Sequence, residues 1–295
     1  MRLGGALAAA AGVSGSCAAV FAQGIERLSR GSLRVLWLQG QACSGCSISL
    51  LNAEAPTILQ AITNEIRLLF HPTLSAAQGR LALEAIETVR RAKEPFVLVL
   101  EGSIPVAIRE ACKLAGRPFA EVVSPLLRRA QFVVAAGTCA SYGGIPSAEG
   151  APTGAASVRE FMEKTGAVVP DRLVSSPGCP CHPAELLGTL AHLAAKGYPE
   201  VRPDSLEPSM FSTGCVHDQC PRLPQFNTRI FAAQFGEADA CLYQLGCRGL
   251  DVYADCARRR WNGGVNWCID ASAPCIGCNQ PTFAKTRSYP FYSKG

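Results

Sequence analysis

Charge is scarce in this sequence, and what there is of it is nearly balanced. Only 17% of the 295 residues are Asp, Glu, Lys or Arg, and the net charge is +5. Apart from Arg258, Arg259 and Arg260 the basic residues are scattered. No cationic stripe exists to follow a phosphate backbone, which excludes nucleic acid as a partner. Beyond the N-terminal stretch no apolar run reaches membrane-spanning length. Internal repeats are lacking, and so are low-complexity tracts outside an Ala-rich start. Histidine is rare, with four in all. With 48% apolar residues the chain can bury one or two ordinary cores, so it is globular and not disordered.

After Arg2 no charged residue appears until Glu26, and the stretch from Leu3 ends in Val20-Phe21-Ala22, a small-residue cleavage pattern. Its many Ala and Gly residues make it too weakly apolar for an anchor, so residues 1–32 read as a signal-like leader and lead-in. The arginine pair of a twin-arginine export signal, which suits proteins that fold around metal before export, is missing from it.

Cysteine, by contrast, is abundant: fifteen residues, several times an ordinary share. Three uses compete for them, namely a disulfide framework, structural zinc and iron–sulfur ligation.

From residue 33 short apolar runs alternate with helical stretches. Val35–Leu38, Ile66–Phe70, Phe96–Leu100, Phe132–Ala135 and Leu173-Val174 read as strands. Ala76–Arg91, Val106–Ala115, Ser157–Thr165 and Pro183–Ala195 read as helices. Such alternation implies an α/β fold with a mainly parallel, doubly wound sheet over 33–200. Past residue 200 prolines interrupt the chain, apolar periodicity fades and more than half of the cysteines fall between Cys215 and Cys278. Residues 201–295 therefore read as a second, irregular domain organised by bound metal.

The positions of the cysteines sharpen this. Cys43 and Cys46 follow the first strand, Cys139 a later one and Cys179 the last, and in an open parallel sheet the carboxyl ends of the strands share one rim. Four thiolates placed there can converge on one object. Zinc ribbons usually draw their ligands from local hairpins instead. In the second domain His217, Cys220, Cys241 and Cys247 offer three thiolates and an imidazole. Cys256, Cys268, Cys275 and Cys278 offer four more thiolates. Four cysteines per cubane is usual, and an imidazole in place of a thiolate raises the potential. A disulfide framework in the second domain remains open at this point. His71, His182 and His192 read as ordinary core or surface residues.

Longer motifs carry a resemblance. Val35-Leu36-Trp37-Leu38-Gln39-Gly40-Gln41-Ala42-Cys43-Ser44-Gly45-Cys46-Ser47, Glu101-Gly102-Ser103-Ile104-Pro105, Gly137-Thr138-Cys139-Ala140-Ser141-Tyr142-Gly143-Gly144, Pro177-Gly178-Cys179-Pro180 and Trp261-Asn262-Gly263-Gly264-Val265-Asn266-Trp267-Cys268 with Pro274-Cys275-Ile276-Gly277-Cys278 resemble the small subunit of periplasmic nickel-iron hydrogenases. The likeness runs from about residue 33 to the C-terminus. It implies a flavodoxin-like first domain with a proximal 4Fe-4S cluster on Cys43, Cys46, Cys139 and Cys179. It further implies a distal 4Fe-4S cluster on His217, Cys220, Cys241 and Cys247, and a medial cluster on Cys256, Cys275 and Cys278.

Many relatives have proline where Cys268 stands and carry a 3Fe-4S medial cluster. A fourth thiolate here implies 4Fe-4S, with 3Fe-4S expected if Cys268 is not a ligand. That residue, with Gly40-Gln41 and Ala148-Glu149-Gly150, most resembles the nickel-iron-selenium branch, in which any selenium lies in the other subunit. Oxygen-tolerant relatives add two cysteines where this chain has Gly45 and Gly144, so their special proximal cluster is not expected. Cys17, Cys112, Cys181 and Cys215 are left over and read as leader or small apolar residues, Cys181 near the proximal set without ligating it.

The resemblance implies H2 oxidation and proton reduction at a nickel-containing large subunit docked near Glu101 and Cys43, with this chain relaying electrons. The external carrier, near His217, would be a periplasmic multihaem cytochrome c, and Arg222, Arg229 and Arg248 are candidates to steer it. With no C-terminal anchor before Gly295, the mature chain is expected to be periplasmic without an integral membrane segment. Two rival readings are weaker. Hydrogen-sensing relatives are cytosolic, against the leader, and the cluster-bearing relative in respiratory complex I lacks the tract from 215 to 278.

Overall fold

The computed structural model describes residues 33–64, 66–167, 171–211 and 214–285. The expected leader and Cys17 lie outside the described residues, as do residues 286–295.

Five strands form one sheet: β1 (Leu33–Gln39), β2 (Ile66–Phe70), β3 (Val97–Glu101), β4 (Phe132–Ala136) and β5 (Leu173–Ser176). Their order is β2-β1-β3-β4-β5 and every pairing is parallel. This is the flavodoxin-like doubly wound order, with its switch point between β1 and β3. Strand side chains alternate between the two faces, so Val35 and Trp37 join one core with Val97, Val99 and Val174, while Leu36 and Leu38 join another with Leu98, Leu100 and Val133. Both faces are covered, which is why the strands read as continuous apolar runs.

The first core is closed by α1 (Gly45–Leu51), α2 (Ile58–Asn64) and α7 (Pro183–Lys196), through Leu50, Ala61, Leu186, Leu187 and Leu190. The second is closed by α3 (Gly79–Arg91), α4 (Phe119–Arg129) and α6 (Val158–Thr165), through Ile86, Val89, Val123, Leu126, Phe161 and Met162. One further helix, α5 (Gly137–Tyr142), follows β4 directly. Ser157 and Glu160 form a reciprocal capping box that starts α6. His182 caps α7: its Nδ1 accepts from the Ala184 N–H at 3.2 Å, and Pro183 occupies the first turn, where its missing N–H costs nothing.

The helix expected over Val106–Ala115 is not there. That segment instead holds a short 3-10 turn at Arg109–Ala111, then Lys113-Leu114 paired antiparallel with Arg117-Pro118. Ala115 and Gly116 both have positive φ, the backbone of a tight primed hairpin turn. Ile108 is exposed and gains no core contact to hold a helix, so the helix forms one segment later, immediately after Pro118.

From residue 214 regular structure is sparse, limited to α8 (Leu223–Asn227), α9 (Cys256–Arg259) and single 3-10 turns. A small third core gathers Val216, Leu242, Leu245, Val252, Trp267 and Ile269, with Cys220, Cys247, Cys256 and Cys275 packed against it. Among the described residues no helix is long and apolar enough to cross a membrane.

The packing predicts a ranking. Leu98→Ala, at a fully buried site in the central strand, costs about 2–5 kcal/mol, and Ser157→Ala, which removes one cap, about 1 kcal/mol. Thermal unfolding of the two variants should show the larger fall for Leu98→Ala.

Candidate metal centres

The first group of thiols sits on the rim above the carboxyl ends of β1, β4 and β5. After β1 the chain turns through Cys43, which is exposed, into α1, where Cys46 is buried in the first turn. Glu101, at the end of β3 and 2% exposed, holds that turn. Its carboxylate accepts from the N–H groups of Cys46 (3.0 Å) and Ser47 (3.2 Å), from Ser47 Oγ (2.5 Å), from Gln39 Nε2 (3.0 Å) and from Trp37 Nε1 (3.0 Å). Glu101 thus satisfies helix-start N–H groups that α1 itself leaves unpaired. Ser47 Oγ also lies 3.2 Å from Nε2 of the fully buried His71. Burial lowers the His71 pKa to about 4 against the pull of Glu101, so the ring is neutral at pH 7.

Cys139 in α5 and Cys179 after β5 complete the group. Burial, and then the neighbouring thiols, push Cys139 up to about 11 and Cys179 up to about 12, with Cys43 and Cys46 acting on both. Two glycines make room for them. A Cβ on Gly137 would stand 2.3 Å from Cys46 Sγ, and one on Gly144 would stand 2.8 Å from Cys139 Sγ, both at positive φ. Cys181 is fully buried on the sheet side of this group. Cys46 is raised well above the ordinary thiol value, chiefly by its hydrogen bond with Cys181 and then by burial.

His217, Cys220, Cys241 and Cys247 line one pocket, walled by Leu242 and Ile269. The His217 ring meets Phe226 edge-on at 4.4 Å, and Phe226 continues to Phe231 and Tyr243. Arg222, expected to steer a partner, is instead 8% exposed and turned inward; Arg229 is exposed and Arg248 half-buried.

In the third group Cys256 opens α9, and Cys275 and Cys278 flank the turn at Gly277. Burial drives Cys256 and Cys275 far above the ordinary thiol value and Cys278 up to about 12. The exposed Cys268 is felt by Cys275 and Cys278. The third group also meets the second through the backbone, where the Arg248 N–H beside Cys247 donates to the Cys275 carbonyl at 2.8 Å. Thr138 stitches the first group to the third, accepting from the Gly178 N–H at 2.9 Å while its hydroxyl donates to the Cys278 carbonyl. Beside them Arg259 bridges Asp255 (2.5 Å) and Glu185 (2.9 Å), and burial lifts the Glu185 carboxyl to about 7.

All fourteen described cysteines are free. Thiols gathered beside glycines and a shared pocket have the donor set that an iron–sulfur cluster takes. Glu101, Thr138 and the buried role of Arg222 were not readable beforehand as supports, although each lies close to a group, at a strand end or within two residues of a cysteine. Cys215 donates to the Gly249 carbonyl at 3.1 Å, and Cys112 lies against the second core.

Comparison with known proteins gives the family. Residues 213–292 match the family model for the C-terminal part of the NiFe/NiFeSe hydrogenase small subunit, and residues 43–193 match that for NADH ubiquinone oxidoreductase, 20 Kd subunit. The chain is 39% identical over 277 residues to the periplasmic [NiFeSe] hydrogenase small subunit of Desulfomicrobium baculatum, covering 88% of this chain and 86% of that one. It is 33% identical over 300 residues to the periplasmic [NiFe] hydrogenase small subunit of Solidesulfovibrio fructosivorans, covering 100% and 92%. Its fold superposes on the reduced, active Ni-Fe-Se hydrogenase from Desulfomicrobium baculatum with a TM-score of 0.81 at 38% identity, over 90% of this chain and all of that chain. The chain therefore belongs to the NiFe/NiFeSe hydrogenase small subunits, the iron–sulfur, electron-transferring partners of a large subunit in an H2-oxidising oxidoreductase.

Proposed function

We propose that the twelve side chains named above hold three clusters in a row. Cys43, Cys46, Cys139 and Cys179 hold a proximal 4Fe-4S cluster, Cys256, Cys268, Cys275 and Cys278 a medial one, and His217, Cys220, Cys241 and Cys247 a distal one. The observation that carries this reading is contiguity: Thr138 bonds both the Gly178 N–H beside Cys179 and the Cys278 carbonyl, and the Arg248 N–H beside Cys247 donates to the Cys275 carbonyl at 2.8 Å. When bound, the clusters supply one-electron storage between the hydrogen-splitting site of the large subunit and an external carrier.

The chain's own residues do the rest. Gly137 and Gly144 leave the proximal sulfurs free of a crowding Cβ. Glu101 fixes the turn that presents Cys46, and Thr138 holds the medial turn against the proximal loop. The exposure of Cys43 supports docking of the large subunit over this rim. Half-buried His217 supports exit of electrons at the opposite end, to a periplasmic multihaem cytochrome c. The third core then belongs to a second domain that begins near residue 200, and the periplasm is the compartment that the relatives' names and the leader both favour.

Two experiments test this. Anaerobically purified heterodimer should contain about twelve iron atoms per small subunit, four for each cubane; stoichiometric zinc with little iron would contradict it. Cys268→Pro should convert the medial cluster to the 3Fe type, seen as a new EPR signal in oxidised protein. An unchanged spectrum would remove Cys268 from the ligand set and leave a 3Fe-4S medial cluster as the native state.

A further inference from the structure

The pocket that gathers His217, Cys220, Cys241 and Cys247 is also lined by a buried cation, Arg222. Its Nη1 donates to the carbonyls of Glu237 and Ala240, each at 2.9 Å, and its Nη2 to the Ile269 carbonyl at 3.0 Å and to Ser272 Oγ at 2.8 Å. All four acceptors are neutral, and among the described residues no carboxylate pairs with it. Arg259, the comparably buried arginine of this region, is instead matched by both Asp255 and Glu185. A guanidinium buried without an anion is costly unless negative charge arrives from elsewhere. The groups positioned to supply it are the pocket thiols. The backbone N–H of Arg222 points at Cys220 Sγ at 3.4 Å, the carbonyl gripped by Nη1 belongs to the residue before Cys241, and Arg222 lines the same pocket as Cys220, Cys241 and Cys247.

We propose that Arg222 is the built-in counter-charge of the distal cluster, a positioning residue that raises its reduction potential. The inference rests on the ligand reading of His217, Cys220, Cys241 and Cys247. Each electron taken up makes a thiolate-bound cluster more negative, and a fixed positive charge in a low-dielectric pocket stabilises the reduced form more than the oxidised one. Replacement of one thiolate by the imidazole of His217 acts in the same direction. The proximal set has the opposite neighbour, the buried carboxylate of Glu101. The chain thus places negative charge where electrons enter during H2 oxidation and positive charge where they leave.

The test is an EPR-monitored redox titration of the distal cluster in the assembled heterodimer. Arg222→Met should lower the midpoint by at least a tenfold change in the oxidised-to-reduced ratio at fixed potential, about 59 mV for one electron, while Arg222→Lys should stay near wild type. Because Arg222 also ties four segments together, a second pair leaves it in place. Ser272 has φ +53, a conformation that Asp and Asn tolerate. Ser272→Asp should neutralise the guanidinium and lower the midpoint, and Ser272→Asn should not. If Arg222→Met does not retain the cluster, this second pair decides alone. Equal midpoints for Ser272→Asp and Ser272→Asn, or an unshifted Arg222→Met, would overturn the role of Arg222. A His217→Cys variant that alters no cluster signal would instead defeat the distal ligand reading beneath it.

Discussion

Thiols must lose their protons to bind iron, yet this fold buries several of them where ionisation is hardest. Cys139, Cys179 and Cys278 are pushed to between about 11 and about 12, and Cys256 and Cys275 higher still, with desolvation the largest cause each time. Without cations such groups stay protonated. Iron held by them would make them the charged walls of a cage, with metal–sulfur bonding offsetting the cost of burial.

The two halves of the chain meet this constraint differently. In the first, a five-stranded sheet is packed on both faces, and the thiols are mounted on its rim by elements with other reasons to exist. Glu101 closes the start of α1, Gly137 opens α5, and the loop after β5 carries Cys179. In the second, the third core is small and leans on cysteine side chains for part of its apolar contact. Here Arg222 binds the segments around Glu237, Ala240, Ile269 and Ser272 into a frame around the pocket. Thr138 and the Arg259 bridges join the halves, which keeps neighbouring thiol groups within electrostatic reach.

Much of this was legible in the sequence because strand periodicity is a strong signal. All five sheet strands were readable from Val, Leu and Phe runs, and the parallel rim followed from their alternation with helices. The short helices α1 and α5 were hidden by the glycines and serines that let thiols approach one another. The segment Val106–Ala115 misled because its apolar spacing imitates a helix, while Gly116 and Pro118 enforce a hairpin. Arg222 resembled a surface charge, since nothing in its immediate neighbours announces that four acceptors from distant segments will enclose it. His71, His182 and His192 kept their structural character: a core contact with Ser47, the cap of α7, and a ring nitrogen 3.2 Å from the Gly197 carbonyl.

The most direct test is anomalous diffraction at the iron edge from crystals of the assembled heterodimer. The account predicts three compact iron peaks within this chain, the first ringed by Cys43, Cys46, Cys139 and Cys179, the second by Cys256, Cys268, Cys275 and Cys278, and the third by His217, Cys220, Cys241 and Cys247. A missing peak, a peak ringed by other side chains, or sulfurs of any set bonded to each other would contradict it.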